Sequence, residues 1–332
     1  MLEKYSFVFT EYGTSGREEK ISKAIENYAK GKVDEVIHDT NGSLILVKKG
    51  DGKNKKKLML SAHMDAVGII VTHIDNDGFL RFSAVGYQPL YRIVSKQLIF
   101  ENGIRGTIGI EKDSDFSSIS EKKLFIDIGA LNKQEAEKMV EIGMTAIMYN
   151  SPFEQNGCLF SSYLDDRIGC AILLSLIDNM KTPYHDIYFV FSTQEEVGVR
   201  GAKTSAYRIE PDFGIAIDVT TSSDLPEGEL QSSVKLASGT AIKIMDRGII
   251  VPKKLVDHLV MIAEKNKIAY QREILTMGGT DAMAIQQTKS GIIAGTISIP
   301  TRYIHSPMEV CNLYDVEESI KLLEKVCMEE FK

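Results

Sequence analysis

The chain has no surplus of basic charge, no paired-cysteine motif and no apolar run long enough to cross a bilayer. Each absence closes off a class of function. Of its 332 residues, 39 are Lys or Arg and 46 are Asp or Glu, a formal net charge of −7. Phosphate binding needs clustered Lys and Arg, so a nucleic-acid partner is not expected. The one basic run, Lys53 to Lys57 in GKNKKK, lies between two strand-like segments and reads as a solvated turn. Four cysteines, Cys158, Cys170, Cys311 and Cys327, show no Cys-x-x-Cys spacing and sit among apolar neighbours. Free buried thiols in a reducing cytoplasm are expected, rather than disulfides or a zinc knuckle. No stretch reaches the ~18 apolar residues of a membrane span. The opening MLEKYSFVFTEYG carries acids and has neither a signal-peptide apolar region nor a small-residue cleavage site. A soluble, cytoplasmic protein with no membrane partner is the expectation. Internal repeats and low-complexity tracts are missing as well.

What is present is organised around Ser192-Thr193-Gln194-Glu195-Glu196-Val197-Gly198. The run before it, Ile187 to Phe191, reads as a buried central strand. Adjacent carboxylates just past such a strand are costly to desolvate unless something positive sits there. Neighbouring side chains in extended chain point in different directions, so one Glu can bind a cation while the other handles a proton.

Taken in order, Ser15-Gly16-Arg17-Glu18 reads as a capping box ahead of a helix that ends near Gly31. A hairpin follows over Val33–His38 and Ser43–Val47, then a strand, Leu58–Ala62, that runs into His63-Met64-Asp65. Residues 67–156 have a different texture. Short strand-like runs (Gly68–Ile74, Phe79–Val85, Val94–Phe100, Ile104–Ile110) alternate with Gly, Asn and Asp turns, and a single helix, Lys133–Ile142, interrupts them. This reads as a small β-rich domain inserted into an α/β host made of residues 1–66 and 157–332. The glycines of GIRGTIG belong to strand turns there, since no helix follows to make a phosphate loop. In the host, Ile168–Met180 is a deeply buried helix, Phe213–Ile217 and Ile292–Ile299 are strands, and Val251–Lys265 is an amphipathic helix. The last helix has Asp315 as its expected N-cap. The fold class is α/β: a mixed sheet covered by helices on both faces, with the inserted β domain.

His63, Glu196, Asp218 and His305 each stand just beyond an apolar run, at the strand edge where ligands collect in open α/β sheets. Asp165 opens a buried helix, where the dipole favours a carboxylate. Two imidazoles and three carboxylates without thiolate suit Zn²⁺, with Co²⁺ or Mn²⁺ as substitutes. Five ligands exceed what one catalytic zinc takes and fit two ions roughly 3.5–4 Å apart, with Asp165 as the best bridge. Asp65 can accept the second N–H of His63. His38, His73, His185 and His258 lack such partners and read as surface or structural. Asp166 and Arg167 are expected to support the bridge by capping and ion pairing. Gly278–Asp281, Arg302 and Tyr303 are further pocket candidates.

The strings SAHMDAVG, LDDRIG, STQEEVGVRGA, AIDVT, GGTDA and YIHSPMEV resemble the tetrahedral-assembly (TET) aminopeptidases, family forty-two of the metallopeptidases, in order and over essentially the whole chain. The resemblance implies a zinc-exopeptidase core with an inserted PDZ-like β-barrel that drives dimerisation and dodecamer assembly. It implies that His63, Asp165 and Asp218 hold one metal, and that Asp165, Glu196 and His305 hold the other. Glu195 would be the general acid/base and Asp65 a support for His63. Peptides with a free N-terminus are the implied substrates. On that reading the metal pair lowers the pKa of a bridging water from about 15.7 towards ~7, and Glu195 takes its proton. Ala66 departs from the pattern, since relatives commonly carry an acid there. Two rivals remain: a glycan hydrolase, as similar proteins have been called endoglucanases, and a non-catalytic, metal-stabilised assembly protein.

Overall fold

The computed structural model of the chain describes residues 1–112, 119–226 and 233–331. Four parallel strands form the centre of the main sheet: Asp186–Ser192, Lys57–His63, Phe213–Thr221 and Ile293–Arg302. Helices cover both of their faces, so their residues are buried almost without alternation. Leu164–Asn179 and Leu313–Met328 lie against one face, with Leu2–Thr10 and Lys253–Asn266 packed on them. Arg200–Ile209 and Asp281–Gln286 pair on the other. Because the four strands share one direction, their carboxyl ends share one edge. Register sets His63 beside Ser192 and Asp218 beside Ser298 along that edge. The expected hairpin forms over Glu35–His38 and Leu44–Lys48, and it extends the sheet on one side.

A closed barrel of six antiparallel strands carries its own apolar core, separate from that of the main sheet. Its strands are Gly68–Ile74, Leu80–Val85, Leu124–Asp127, Arg105–Ile110, Gln97–Phe100 and Thr145–Met148. Leu124–Asp127 and Thr145–Met148 were not anticipated, because a four-residue strand shows too little alternation to register as a period. A short helix, Leu90–Ile93, occupies the chain just before the expected start of the strand at Val94, which instead begins at Gln97. The helix anticipated over Lys133–Ile142 stops at Met139. Among the described residues no helix is long and apolar enough to cross a membrane.

Two expected caps do other work. Ser15 and Glu18 make no cap to Glu19–Ala29: the Ser15 hydroxyl donates to Asp65 at 2.7 Å, and Glu18 accepts the Gly16 and Gln194 amides. The last helix is capped by Asn312, whose side chain accepts the Tyr314 amide at 2.9 Å. Asp315 instead accepts the Ala237 and Gly239 amides, each at 2.7 Å.

The N-terminal helix Leu2–Thr10, also unanticipated, is fastened through Asp178 near the end of Leu164–Asn179. That carboxylate accepts from Tyr5 (3.0 Å), Tyr28 (2.6 Å) and Lys32 (2.7 Å), and Lys4 lies 2.6 Å away. Burial works against its charge, but the lysines and tyrosines prevail and hold it well below the usual carboxylate range. A lowered folded pKa contributes stability that is complete above the unfolded value near 3.8 and fades as pH falls toward the folded one. Asp178→Asn should therefore cost on the order of 2 kcal/mol at pH 7 by urea denaturation, the scale of a lost charge-assisted hydrogen bond or two. The gap to the unsubstituted protein should narrow below about pH 4, where Asp178 takes up its proton in the unfolded unsubstituted chain and its contribution to stability fades.

Candidate active site

The shared strand edge collects side chains from five segments. His63 is the last residue of Lys57–His63, and Asp218 sits inside Phe213–Thr221, which continues three residues beyond it. Both therefore lie within their strands, where the sequence had suggested positions just past them. Glu195 and Glu196 lie in the turn after Asp186–Ser192, and His305 in the turn after Ile293–Arg302. Asp165 and Asp166 are joined by a cis peptide and have non-helical backbones, so regular helix begins after them. Asp166 caps that start by accepting the Gly169 amide at 3.0 Å, and its other oxygen accepts the His63 amide at 3.1 Å.

Asp165 stands between the two histidines. Its Oδ1 is 2.9 Å from His63 Nε2 and its Oδ2 is 3.1 Å from His305 Nε2. Glu196 Oε1 is also 3.1 Å from His305 Nε2. Ligand atoms of His63, Asp165 and Glu196 lie within 4.8 Å of one another, and so do those of His63, Asp166 and Asp218. The second group sets Asp166, rather than Asp165, beside Asp218.

Carboxylates outnumber cations here, and the proton affinities show it. Burial first, with Asp218 adding to it, raises Asp166 well above the usual range. Burial, then Asp165, does the same to Asp218. Glu195 is raised by burial, with Asp218 and Glu196 adding to it against the pull of His63. Burial opposes charge on His305, yet Glu196 and Asp165 push its imidazole up to about 12. Burial likewise opposes charge on Asp165, but His305 and His63 hold it below the usual range. Glu196 Oε1 is buried and receives no aligned hydrogen bond, although His305 Nε2 is close. Two ligands about 2.05 Å from one tetrahedral ion sit roughly 3.3 Å apart, close to these spacings. An all-N/O donor set with an orphaned buried oxygen fits divalent cations such as Zn²⁺, Co²⁺ or Mn²⁺.

Backbone amides hold the segments in place. Asp65 accepts the Glu195 amide through Oδ1 at 2.9 Å and the Glu196 amide through Oδ2 at 3.2 Å. The nearer acceptor for His63 Nδ1 is the Asp65 main-chain oxygen at 3.0 Å, with the carboxylate 3.6 Å away. Asp65 thus steadies His63 mainly through its carbonyl. Glu309, four residues after His305 and given no role from sequence, accepts the His305 amide at 2.7 Å and the Asp165 amide at 3.0 Å. Burial, then Asp165, pushes it up to about 8. Asp281 binds the Ser61 and Ser192 hydroxyls of neighbouring strands at 2.6 Å each. Arg167 makes no ion pair among the described residues. Its guanidinium donates to the Val8, Glu11 and Gly13 carbonyls, gripping the end of the N-terminal helix.

The site opens into a cleft of ≈ 440 Å³, whose lining also includes Val219, Leu275, Met277, Met283 and the buried Lys243. Gly278, Gly279 and Thr280 line it, whereas Arg302 is tied to Asp224 and neither Arg302 nor Tyr303 is among the lining residues. Ala66 is buried in the barrel's apolar core and does not line the cleft.

The family model for M42 glutamyl aminopeptidases matches residues 42–322. The chain belongs to that family. Such a chain is a metal-dependent aminopeptidase, a peptidase among the hydrolases. A relative from Acetivibrio thermocellus, provisionally named an aminopeptidase, is 44% identical over 329 residues that span 98% of each chain. The aminopeptidase APDkam598 from Desulfurococcus kamchatkensis is 36% identical and superposes with a TM-score of 0.94 over 99% of this chain and 95% of its own. The Pyrococcus horikoshii TET1 peptidase, which can assemble into a tetrahedron or a large octahedral shell, is 32% identical with a TM-score of 0.88 over 99% of each chain.

For this aminopeptidase, Glu309→Ala releases the amides of Asp165 and His305 together. Divalent-metal affinity should fall about 10–100-fold, the usual effect of losing a group that orients ligands. Calorimetric titration with Zn²⁺ or Co²⁺ reads this directly, and an unchanged affinity would show that the two amides need no such hold.

Proposed function

We propose that the protein removes N-terminal residues from peptides at a two-metal site. His63, Asp165 and Asp218 hold one ion, and Asp165, Glu196 and His305 hold the other, with Zn²⁺ as the metal and Co²⁺ or Mn²⁺ as substitutes. The observation that carries this reading is the Asp165 carboxylate, each oxygen of which faces a different imidazole within 3.1 Å. Asp166 is the weaker candidate for a bridge because both of its oxygens already accept main-chain amides. When bound, two divalent ions supply Lewis acidity for activating water and polarising a scissile carbonyl.

The rest falls to the protein's own groups. Glu195 lines the cleft and its carboxylate has no hydrogen-bond partner among the described residues, so it is free to take a proton from the attacking water and return it to the leaving amine. Its main chain is fixed by Asp65, which aims the carboxylate. Surplus negative charge along the cleft favours the α-ammonium of a peptide and so exopeptidase action. A glycan hydrolase needs two carboxyls facing each other across a bond, whereas the carboxylates here are packed against histidines and main-chain amides. A purely structural metal site would not need an unengaged Glu195 beside it.

Residues 67–156 serve, on this reading, as the assembly domain through which dimers build toward a dodecamer. Exposed Leu131 and Ile142 on that part of the chain, and the shells formed by the TET1 peptidase, support this. Four free cysteines agree with a cytoplasmic setting.

Glu195→Gln should keep its full metal complement by elemental analysis and lose about 10²–10⁴-fold in kcat on aminoacyl-p-nitroanilides, the range for removal of a general base. Chelation should silence the unsubstituted enzyme on peptides, and added Zn²⁺ or Co²⁺ should restore it. Full turnover by Glu195→Gln would overturn the role given to Glu195.

A further inference from the structure

The turn that carries Glu195 and Glu196 is held by more than Asp65. Gln194 has a left-handed backbone, φ +55°, an unusual state for a side-chain-bearing residue that surrounding contacts must maintain. Its amide is directed at Glu18 Oε1, 3.0 Å away. The next two amides, of Glu195 and Glu196, are directed at Asp65. Three successive N–H groups are thus received by carboxylates from two distant parts of the chain.

Glu18 is only 5% exposed, and burying a carboxylate without a cation is costly. It precedes the helix Glu19–Ala29 but makes no cap to it. Its Oε1 accepts the Gly16 amide at 2.8 Å together with that of Gln194. The loop bearing it is itself locked. Ala66 donates to the Gly13 carbonyl at 3.0 Å, the Thr14 hydroxyl donates to the Ala66 carbonyl at 3.0 Å, and the Ser15 hydroxyl reaches Asp65 at 2.7 Å. Residues 13–18 therefore form a rigid strut between the segment that follows His63 and the turn that bears Glu195.

We propose that Glu18 is a positioning residue for peptide hydrolysis: by fixing the peptide plane between Thr193 and Gln194, it sets the direction in which the Glu195 side chain enters the cleft. This rests on the reading of Glu195 as the group that moves the proton. Among the described residues Glu18 makes no hydrogen bond or ion pair to a proposed metal ligand, and it does not line the cleft, so its influence falls on turnover and leaves metal binding and substrate affinity alone. Since one oxygen makes both hydrogen bonds, a glutamine whose carbonyl oxygen takes that place preserves them.

The test compares Glu18→Ala, Glu18→Gln, Glu18→Asp and Glu195→Gln with the unsubstituted enzyme, measuring kcat and KM on the best aminoacyl-p-nitroanilide, metal content and Tm. Glu18→Ala should lose about 10–100-fold in kcat, the scale for removing a group that orients a reacting one, with KM changed by less than about threefold and metal content intact. Glu18→Gln should stay within about threefold of the unsubstituted kcat. Glu18→Asp, which keeps the buried carboxyl but draws the acceptor back by one methylene, should lose kcat as the alanine variant does, and it carries the test if that variant does not fold. An unimpaired alanine or aspartate variant, a glutamine variant as damaged as alanine, or a loss of kcat that follows loss of metal or of Tm overturns the proposal. If Glu195→Gln turns over normally, the reading beneath it fails instead, and the proposal with it.

Discussion

Too many carboxylates buried beside too few cations is the condition around which this molecule is built. A desolvated carboxylate without a partner costs several kcal/mol, so a cluster of them at the edge of a sheet cannot persist by packing alone. His63 and His305 offset part of that charge through Asp165 and Glu196, and Glu196 still keeps an oxygen with no donor aimed at it. The deficit is one that divalent ions repair, and membership of a metal-dependent peptidase family gives it a purpose. The parallel strands follow from the same need. They bring side chains far apart in sequence to a single edge, where possible ligand atoms lie within 4.8 Å of one another.

Main-chain hydrogen bonds keep the arrangement from relaxing. Glu309 fixes Asp165 and His305 together, Asp65 fixes Glu195 and Glu196, and Glu18 fixes the residue before them. All but the His305–Glu309 bond, which spans four residues, run from an amide to a carboxyl brought from another part of the chain. Where the acceptor is ionised, as Asp65 is, such a bond is roughly twice as strong as one between neutral groups. The turns that bear the candidate site residues are thereby tied by their main chain to the rest of the fold.

Much of this was legible in the sequence because it rests on local pattern. The apolar runs before His63, Glu195 and Asp218 announced buried strands, and alternation with buried helices announced the sheet's covering. What escaped depends on long-range partners. The acid three residues after Ser15 has the spacing of a helix cap, yet Glu18 is drawn away by Gln194, a residue 176 positions on. Asp315 gives up its capping place to serve the Ala237 and Gly239 amides. Glu309 lay within a quoted motif, but nothing in its neighbours said that it would reach Asp165. The barrel strands Leu124–Asp127 and Thr145–Met148 are fixed by closure of the barrel and not by their own composition. Arg167, beside two aspartates, was expected to pair with acid and instead grips carbonyls at the end of a helix, where the dipole attracts a cation.

The central claim is that Asp165 joins two metal ions. Anomalous diffraction from crystals grown with Zn²⁺, collected at the zinc edge, tests it most directly. The account predicts two peaks roughly 3.5–4 Å apart, one against each oxygen of Asp165, with His63 at one and His305 at the other. A single peak, or a pair that leaves Asp165 uncoordinated, would contradict it.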